Sequence, residues 1–217
     1  MQIKRKHLYR VLLYVAGLMV LALGVALSIN SRLGISPVNS LPYVISQITS
    51  IEMGTCVIAV FSLFILVQIL IKGRDFQWIN LTQLIFSTLF GFFVDGAKAL
   101  LGNFTLPTYV GQWVMLLISI GVIALGISLY LDARLVSMPA EGMTLALADK
   151  LKKPFNQVKT WTDSTLVTLA ILLSLIFMGG LYGVREGTIL SALLIGPTIK
   201  PIRKWTKPVV ERVFFGD

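Results

Sequence analysis

Six stretches free of Asp, Glu, Lys and Arg stand out: 11–31, 53–71, 76–94, 99–131, 164–184 and 187–199. A helix needs ~20 residues to cross hydrocarbon, and a charge at mid-bilayer costs ~3 kcal/mol or more, so these intervals predict membrane-crossing helices. The fourth interval is too long for one crossing and contains Asn103, Pro107 and Gly111, which places its helix at 112–131 and a loop at 101–110. The sixth is short. It crosses only if Lys200, Arg203 and Lys204 extend their ammonium and guanidinium groups to the headgroups.

Between the first and second crossings, and again between the fourth and fifth, a shorter helical stretch begins at a proline, Pro37 or Pro139. Proline suits the first turn of a helix, where its missing N–H has no intrahelical partner, and Ser36 stands before Pro37 as a candidate N-cap. The stretches 37–50 and 139–152 are ~14 residues, about 21 Å at helical rise, too short to cross. Each is expected to be interfacial or re-entrant.

The chain also matches itself. Residues 23–39, LGVALSINSRLGISPVN, lie over 125–141, LGISLYLDARLVSMPAE, at an offset of 102 with six identities. These are Leu23/Leu125, Gly24/Gly126, Leu27/Leu129, Arg32/Arg134, Leu33/Leu135 and Pro37/Pro139. A second match pairs TQLIFSTLFGFF (82–93) with GTILSALLIGPT (187–198) at offset 105, Gly91 lying over Gly196. Two related halves, about 8–101 and about 110–204, with three crossings each, must enter the membrane from opposite sides. The predicted fold is therefore all-α and polytopic, a single membrane domain of six helices in two inverted three-helix repeats, each with a short Pro-started helix. Residues 205–217 are expected as a cytoplasmic tail. The competing count, eight crossings in parallel repeats, leaves 14 basic residues inside and five outside; six crossings leave 16 and three. The six-crossing count is preferred on that asymmetry, with both termini in the cytoplasm.

Composition supports the membrane reading. With 56% apolar and 13% charged residues and a mean hydropathy of +0.83, a water-soluble enzyme is excluded. The net charge of +9 is read as a topology signal rather than a nucleic-acid footprint, since no basic stretch is interleaved with base-stacking aromatics. Trp78, Trp161 and Trp205 fall at expected inner ends, and Tyr109, Trp113 and Tyr182 at outer ends, as interfacial rings do. The basic start does not read as a cleaved signal, because the apolar run exceeds an h-region and no small-residue cleavage site follows. The single cysteine, Cys56, excludes an internal disulfide, and the single histidine, His7, stands in the basic start. No GxSxG, HExxH, P-loop or GxGxxG is present, so neither an enzyme nor a cofactor or metal site is expected.

Candidate chemistry clusters at the proline segments. If the two short helices are re-entrant, their N-termini bring unpaired N–H groups toward a shared interior beside Arg32 and Arg134, an anion site in outline. The candidate binding set is Arg32, Ser36, Pro37, Asn39, Arg134, Pro139 and Glu141. The plainer reading puts both arginines at helix C-termini, meeting lipid phosphate. Glu141, in the first turn after Pro139, either caps N–H groups or carries a coupling proton; Asp163 is the second coupling candidate, with Lys159 one turn earlier as an ion-pair partner. Asp95 and Lys98 are read as a similar pair, and the small residues Gly179, Gly183, Gly187 and Ser191, with Ser87 and Gly91, as close-packing positions.

At LALGVALSINSRLGISPVNSL (21–41) and at GTILSALLIGP (187–197) the chain resembles the bacterial YczE/YyaS/YitT family of small multi-span membrane proteins. The resemblance covers roughly 10–204 and rests on Arg-x4-Pro after the first helix and a closing Gly-Thr-x6-Ile-Gly-Pro. It implies a bacterial plasma-membrane protein and names no activity. The first half departs from the closing element, having Gly91-Phe92 where the second has Gly196-Pro197. The expected function is a small secondary transporter or permease for an anionic or zwitterionic solute. Its expected partners are the lipid bilayer and that solute, with a homodimer as a candidate assembly and no nucleic acid. The alternative is a non-transporting scaffold serving a biosynthetic or export partner.

Overall fold

The computed structural model describes residues 2–210 and Arg212, and the side chains of 8–210 except 156. The described residues form eight α-helices and no strand. These are α1 (Gln2–Ser31), α2 (Pro37–Thr49), α3 (Met53–Lys72), α4 (Thr82–Leu101), α5 (Tyr109–Asp132), α6 (Pro139–Leu151), α7 (Phe155–Met178) and α8 (Glu186–Val210). Five helices, α1, α3, α4, α5 and α7, are long and apolar enough to cross a membrane. The sixth long helix, α8, falls short because Glu186 opens it and Lys200, Arg203, Lys204 and Lys207 charge its second half.

Pro37 and Pro139 both take the first helical position, and α2 and α6 have 13 residues each, about 20 Å. Backbone geometry repeats with the sequence. The non-glycine residues with left-handed φ are Arg32, Ser50, Arg134 and Lys152, two pairs that each differ by 102, so the same kinks bracket both short helices.

The halves meet where α1 crosses α5, the most extensive helix contact in the molecule. A Cβ on Gly24 would stand 2.8 Å from the Ile123 nitrogen, and one on Gly126 would stand 2.5 Å from the Leu21 nitrogen. Leu21 and Ile123 also differ by 102. The contact is thus reciprocal, as across a two-fold axis, and it requires glycine at both positions. Numbers rise along α1 as they fall along α5, Tyr14 lying beside Tyr130 and Leu33 beside Leu116, so the two helices are antiparallel. Each half then adds its last helix in parallel to its first. Tyr14 meets Phe86 and Asn30 meets Gly102 on α4, while Leu116 meets Gly187 and Asp132 meets Arg203 on α8. Helices α2 and α6 fill the space between α3 and α7.

Several boundaries differ from the sequence reading. Helix α4 begins at Thr82, not near 76, because Gly73 ends α3 with φ 51 and two 3-10 turns, Gly73–Asp75 and Trp78–Leu81, occupy the interval. Residues 205–210 continue α8 rather than starting a tail; the expected tail beyond them, at 211 and 213–217, lies outside the described residues. The small-residue stripe splits. Gly187 packs against the Leu33 carbonyl and Gly91 against Gly54, but Gly179 and Gly183 leave the helix with φ of 66 and 74 and shape the turn before α8.

Candidate functional site

The α1–α2 connection is fixed by main-chain bonds. Ile35 N donates to Gly183 O at 3.0 Å, and Gly187 N donates to Leu33 O at 2.7 Å. Gly34, at φ 112, is pressed between the Arg185 nitrogen and the Thr188 hydroxyl. Arg32 is exposed, its carbonyl accepting from Arg185 Nη1 at 3.0 Å. Ser36 holds the N-cap position without capping; its Oγ instead accepts from Asn39 Nδ2 at 3.0 Å. This corrects the expectation of a serine cap: the main-chain N–H groups of Asn39 and Ser40 donate to the Ser36 carbonyl, both at 3.0 Å, and leave the hydroxyl to the Asn39 side chain. Asn39 Oδ1 is buried with no hydrogen-bond partner.

The equivalent connection between α5 and α6 is held by side chains. Tyr14 donates to Val136 O at 3.1 Å, and Gln68 Nε2 donates to Pro139 O and to Gln83 Oε1, both at 3.1 Å. Gln68 also fills the space against Gly142, where a Cβ would stand 2.7 Å from its Oε1. Tyr130 donates to Glu141 Oε1 at 3.4 Å, a long bond, and Glu141 Oε2 is buried without a partner. Beyond Glu141, Thr144 and Thr162 hydroxyls stand 3.3 Å apart, and Lys159 pairs with Asp163 at 2.5 Å along α7.

The structure therefore separates the candidate binding residues into two groups. Arg32, Ser36, Pro37 and Asn39 lie at one end; Arg134, Pro139 and Glu141 lie at the other, with Asp163 on the adjoining α7. Arg134 is exposed at the end of α5, level with Tyr14, and Arg32 follows Ser31, about 25 Å further along α1. No arginine pair forms across one interior. Asn39 and Glu141 do correspond, being 102 apart, each in the first turn of its short helix and each with one orphaned buried oxygen.

Asp163 has the ion pair that its spacing from Lys159 indicated. Asp95 lies within electrostatic reach of Lys98, as their spacing indicates, but its direct contact is on another helix. Its Oδ1 accepts from Gly54 N at 2.6 Å, supplying the start of α3 with a cap that Glu52 does not make. Three buried site residues escaped the sequence reading: Tyr14, Gln68 and Gln83. A signal existed for Gln68, a lone amide within the charge-free interval 53–71, since an uncompensated amide in lipid needs a partner.

A family model described as "Family of unknown function (DUF6198)" matches residues 8–204. The chain belongs to this family. It is 29% identical over 197 residues to "Uncharacterized membrane protein YczE" of Bacillus subtilis (strain 168), covering 89% of this chain and 85% of the relative. It is 25% identical over 213 residues to "Uncharacterized protein YyaS" of the same organism, covering 96% of both. No solved structure matches the chain. Two of the three names in the resemblance at 21–41 and 187–197, YczE and YyaS, are thus met, and the five apolar helices fit a membrane protein.

Proposed function

We propose that the protein crosses the bacterial plasma membrane six times, as two inverted triplets with α8 as the sixth crossing and both termini cytoplasmic. On this reading it works as a small secondary transporter for an anionic or zwitterionic solute. The antiparallel α1–α5 contact supports the inverted arrangement, and an inverted pair of halves is a geometry on which alternating access is built. The orientation is supported by the 16 of 19 basic residues assigned to one face.

The observation that carries the transport reading is the matched pair of orphaned acceptors, Asn39 Oδ1 and Glu141 Oε2. A buried polar atom without a partner costs roughly 1–3 kcal/mol, so its presence at both equivalent positions suits a donor that arrives with the cargo. Glu141 is assigned the coupling proton, because the other candidate, Asp163, is held by Lys159. Arg32 and Arg134, exposed at opposite ends, are assigned to attracting the solute's anionic group at the two mouths. No enzymatic step is assigned.

Proteoliposomes with an imposed pH gradient, offered amino acids and small organic anions, test this directly. Uptake of one solute class is expected in the wild type, with Glu141→Gln losing gradient-driven uptake and Arg32→Gln or Arg134→Gln lowering flux at least tenfold while folding is retained. Gradient-driven uptake unchanged by Glu141→Gln overturns the assignment.

One observation favours a second reading, a non-transporting scaffold. Helices α3 and α4 pack closely through Gly54 and Gly91, whereas their counterparts α7 and α8 barely touch, and the space around Gly196 is open. A partner helix or a second copy would find an unfilled face there. Recovery of one stoichiometric partner from native membranes, without any solute-dependent thermal shift, supports this reading instead.

A further inference from the structure

A cleft of about 350 Å³ lies between α6 and α7, with α3 as its far wall and Leu41 of α2 closing its inner end. Helix α6 lines it with Met143, Leu147 and Leu151, spaced four apart along one face. Helix α7 lines it from Val158 to Leu169, a helical rise of about 16 Å. That length matches half of the ~30 Å hydrocarbon thickness of a bilayer, the depth of one leaflet.

The lining asks for nothing polar. Thr162 donates to the Lys159 carbonyl at 3.0 Å and Thr165 to the Trp161 carbonyl at 2.9 Å, so both hydroxyls are used within α7. The mouth at Leu151 is the reverse. Lys150, Lys152 and Lys153 are exposed there, and none is ion-paired among the described residues, while Asp149 is taken by Lys72 at 3.6 Å. An apolar slot one leaflet deep, opening at three unpaired ammonium groups, has the form of an anionic amphiphile.

We infer that the α6–α7 cleft holds one acyl chain of an anionic phospholipid, its phosphate lying against Lys150, Lys152 and Lys153. The inference is independent of solute transport. The lipid fills the slot as a bound component, and the lysines select it through charge, each cation near a phosphate favouring the anionic headgroup.

The full chain, purified in mild detergent and stripped of lipid, is offered equal amounts of dioleoyl phosphatidylglycerol and dioleoyl phosphatidylcholine and read by native mass spectrometry. One retained lipid per chain is expected, with phosphatidylglycerol preferred about tenfold. The triple variant Lys150→Gln, Lys152→Gln, Lys153→Gln is expected to retain one lipid without preference. Leu147→Trp is expected to lose the lipid by filling the slot from α6. Leu63→Trp fills it from the exposed face of α3 and serves if Leu147→Trp does not fold. Equal retention of the two lipids by the wild type overturns the inference. So does an unchanged preference in the triple variant, or full retention in a folded tryptophan variant.

Discussion

Helices α2 and α6 have the same length, the same opening proline and the same left-handed residues on either side, yet they are fastened differently. The chain entering α2 is clamped by backbone bonds to the α7–α8 turn, with Gly34 at a φ of 112 and no space for a side chain. The chain entering α6 carries Val136 at the equivalent place and rests on Tyr14 and Gln68. Main-chain clamps hold one arrangement; side-chain clamps have rotamers and admit more than one. The α2 entry is thus held by main chain and the α6 entry by side chains, and the contrast predicts a less tolerant end and a more tolerant one. Glu141 and the α6–α7 cleft are both at the end held by side chains.

Exchanging residues between the two ends tests this contrast. Gly34→Val gives the α2 entry the residue of the α6 entry and is expected to cost about 3 kcal/mol, from left-handed strain and the collision with Arg185 and Thr188. The reverse change, Val136→Gly, is expected to cost no more than about 1 kcal/mol. Thermal unfolding in detergent, followed by circular dichroism, reads both. Similar costs for the two changes would erase the contrast.

The next largest effect is expected where each half joins its first helix to its last. At the α6 end Arg203 Nε donates to Asp132 at 2.7 Å, and Asp132 is buried while Arg203 is half-exposed. Arg203→Gln leaves that carboxylate without its cation and is expected to cost about 2 kcal/mol, less than a fully buried pair because water reaches the guanidinium. The matching bond at the α2 end, Asn30 Nδ2 to Gly102 O, joins neutral, exposed groups, so Asn30→Ala is expected to cost about 0.5 kcal/mol. Gln68→Leu lies between, at about 1.5 kcal/mol, since it removes the support of Pro139 O and orphans Gln83. Limited proteolysis of that variant is expected to cut at 133–138 before any other loop, and protection equal to wild type there would show that Tyr14 alone holds the entry.

Much of the frame was legible from the order of charges. The charge-free intervals placed the long helices because lipid excludes charge from them, and Pro37 and Pro139 marked the first residues of α2 and α6 because proline lacks only an N–H that has no partner there. The offset of 102 was legible too, and the four left-handed residues repeat it in the backbone. What stayed hidden depended on which helix stands beside which. Spacing alone pairs Asp95 with Lys98 on its own helix, but the N–H of Gly54 on α3 lies closer. Gly179 and Gly183 share the spacing of Gly187, yet α7 ends at Met178, so they serve a turn. Likeness pairs Arg32 with Arg134, but the antiparallel course of α1 and α5 carries like residues to opposite ends, and it is at the α1–α5 crossing that equivalent positions meet.

The reciprocal crossing of Gly24 on Ile123 and Gly126 on Leu21 is the contact that two copies of one peptide make with each other. The two halves that it brings together are linked in sequence by the largely exposed segment 102–108. Severing the gene within that segment should therefore yield two polypeptides that find each other again in the bilayer, each supplying the glycine against which the other's helix rests.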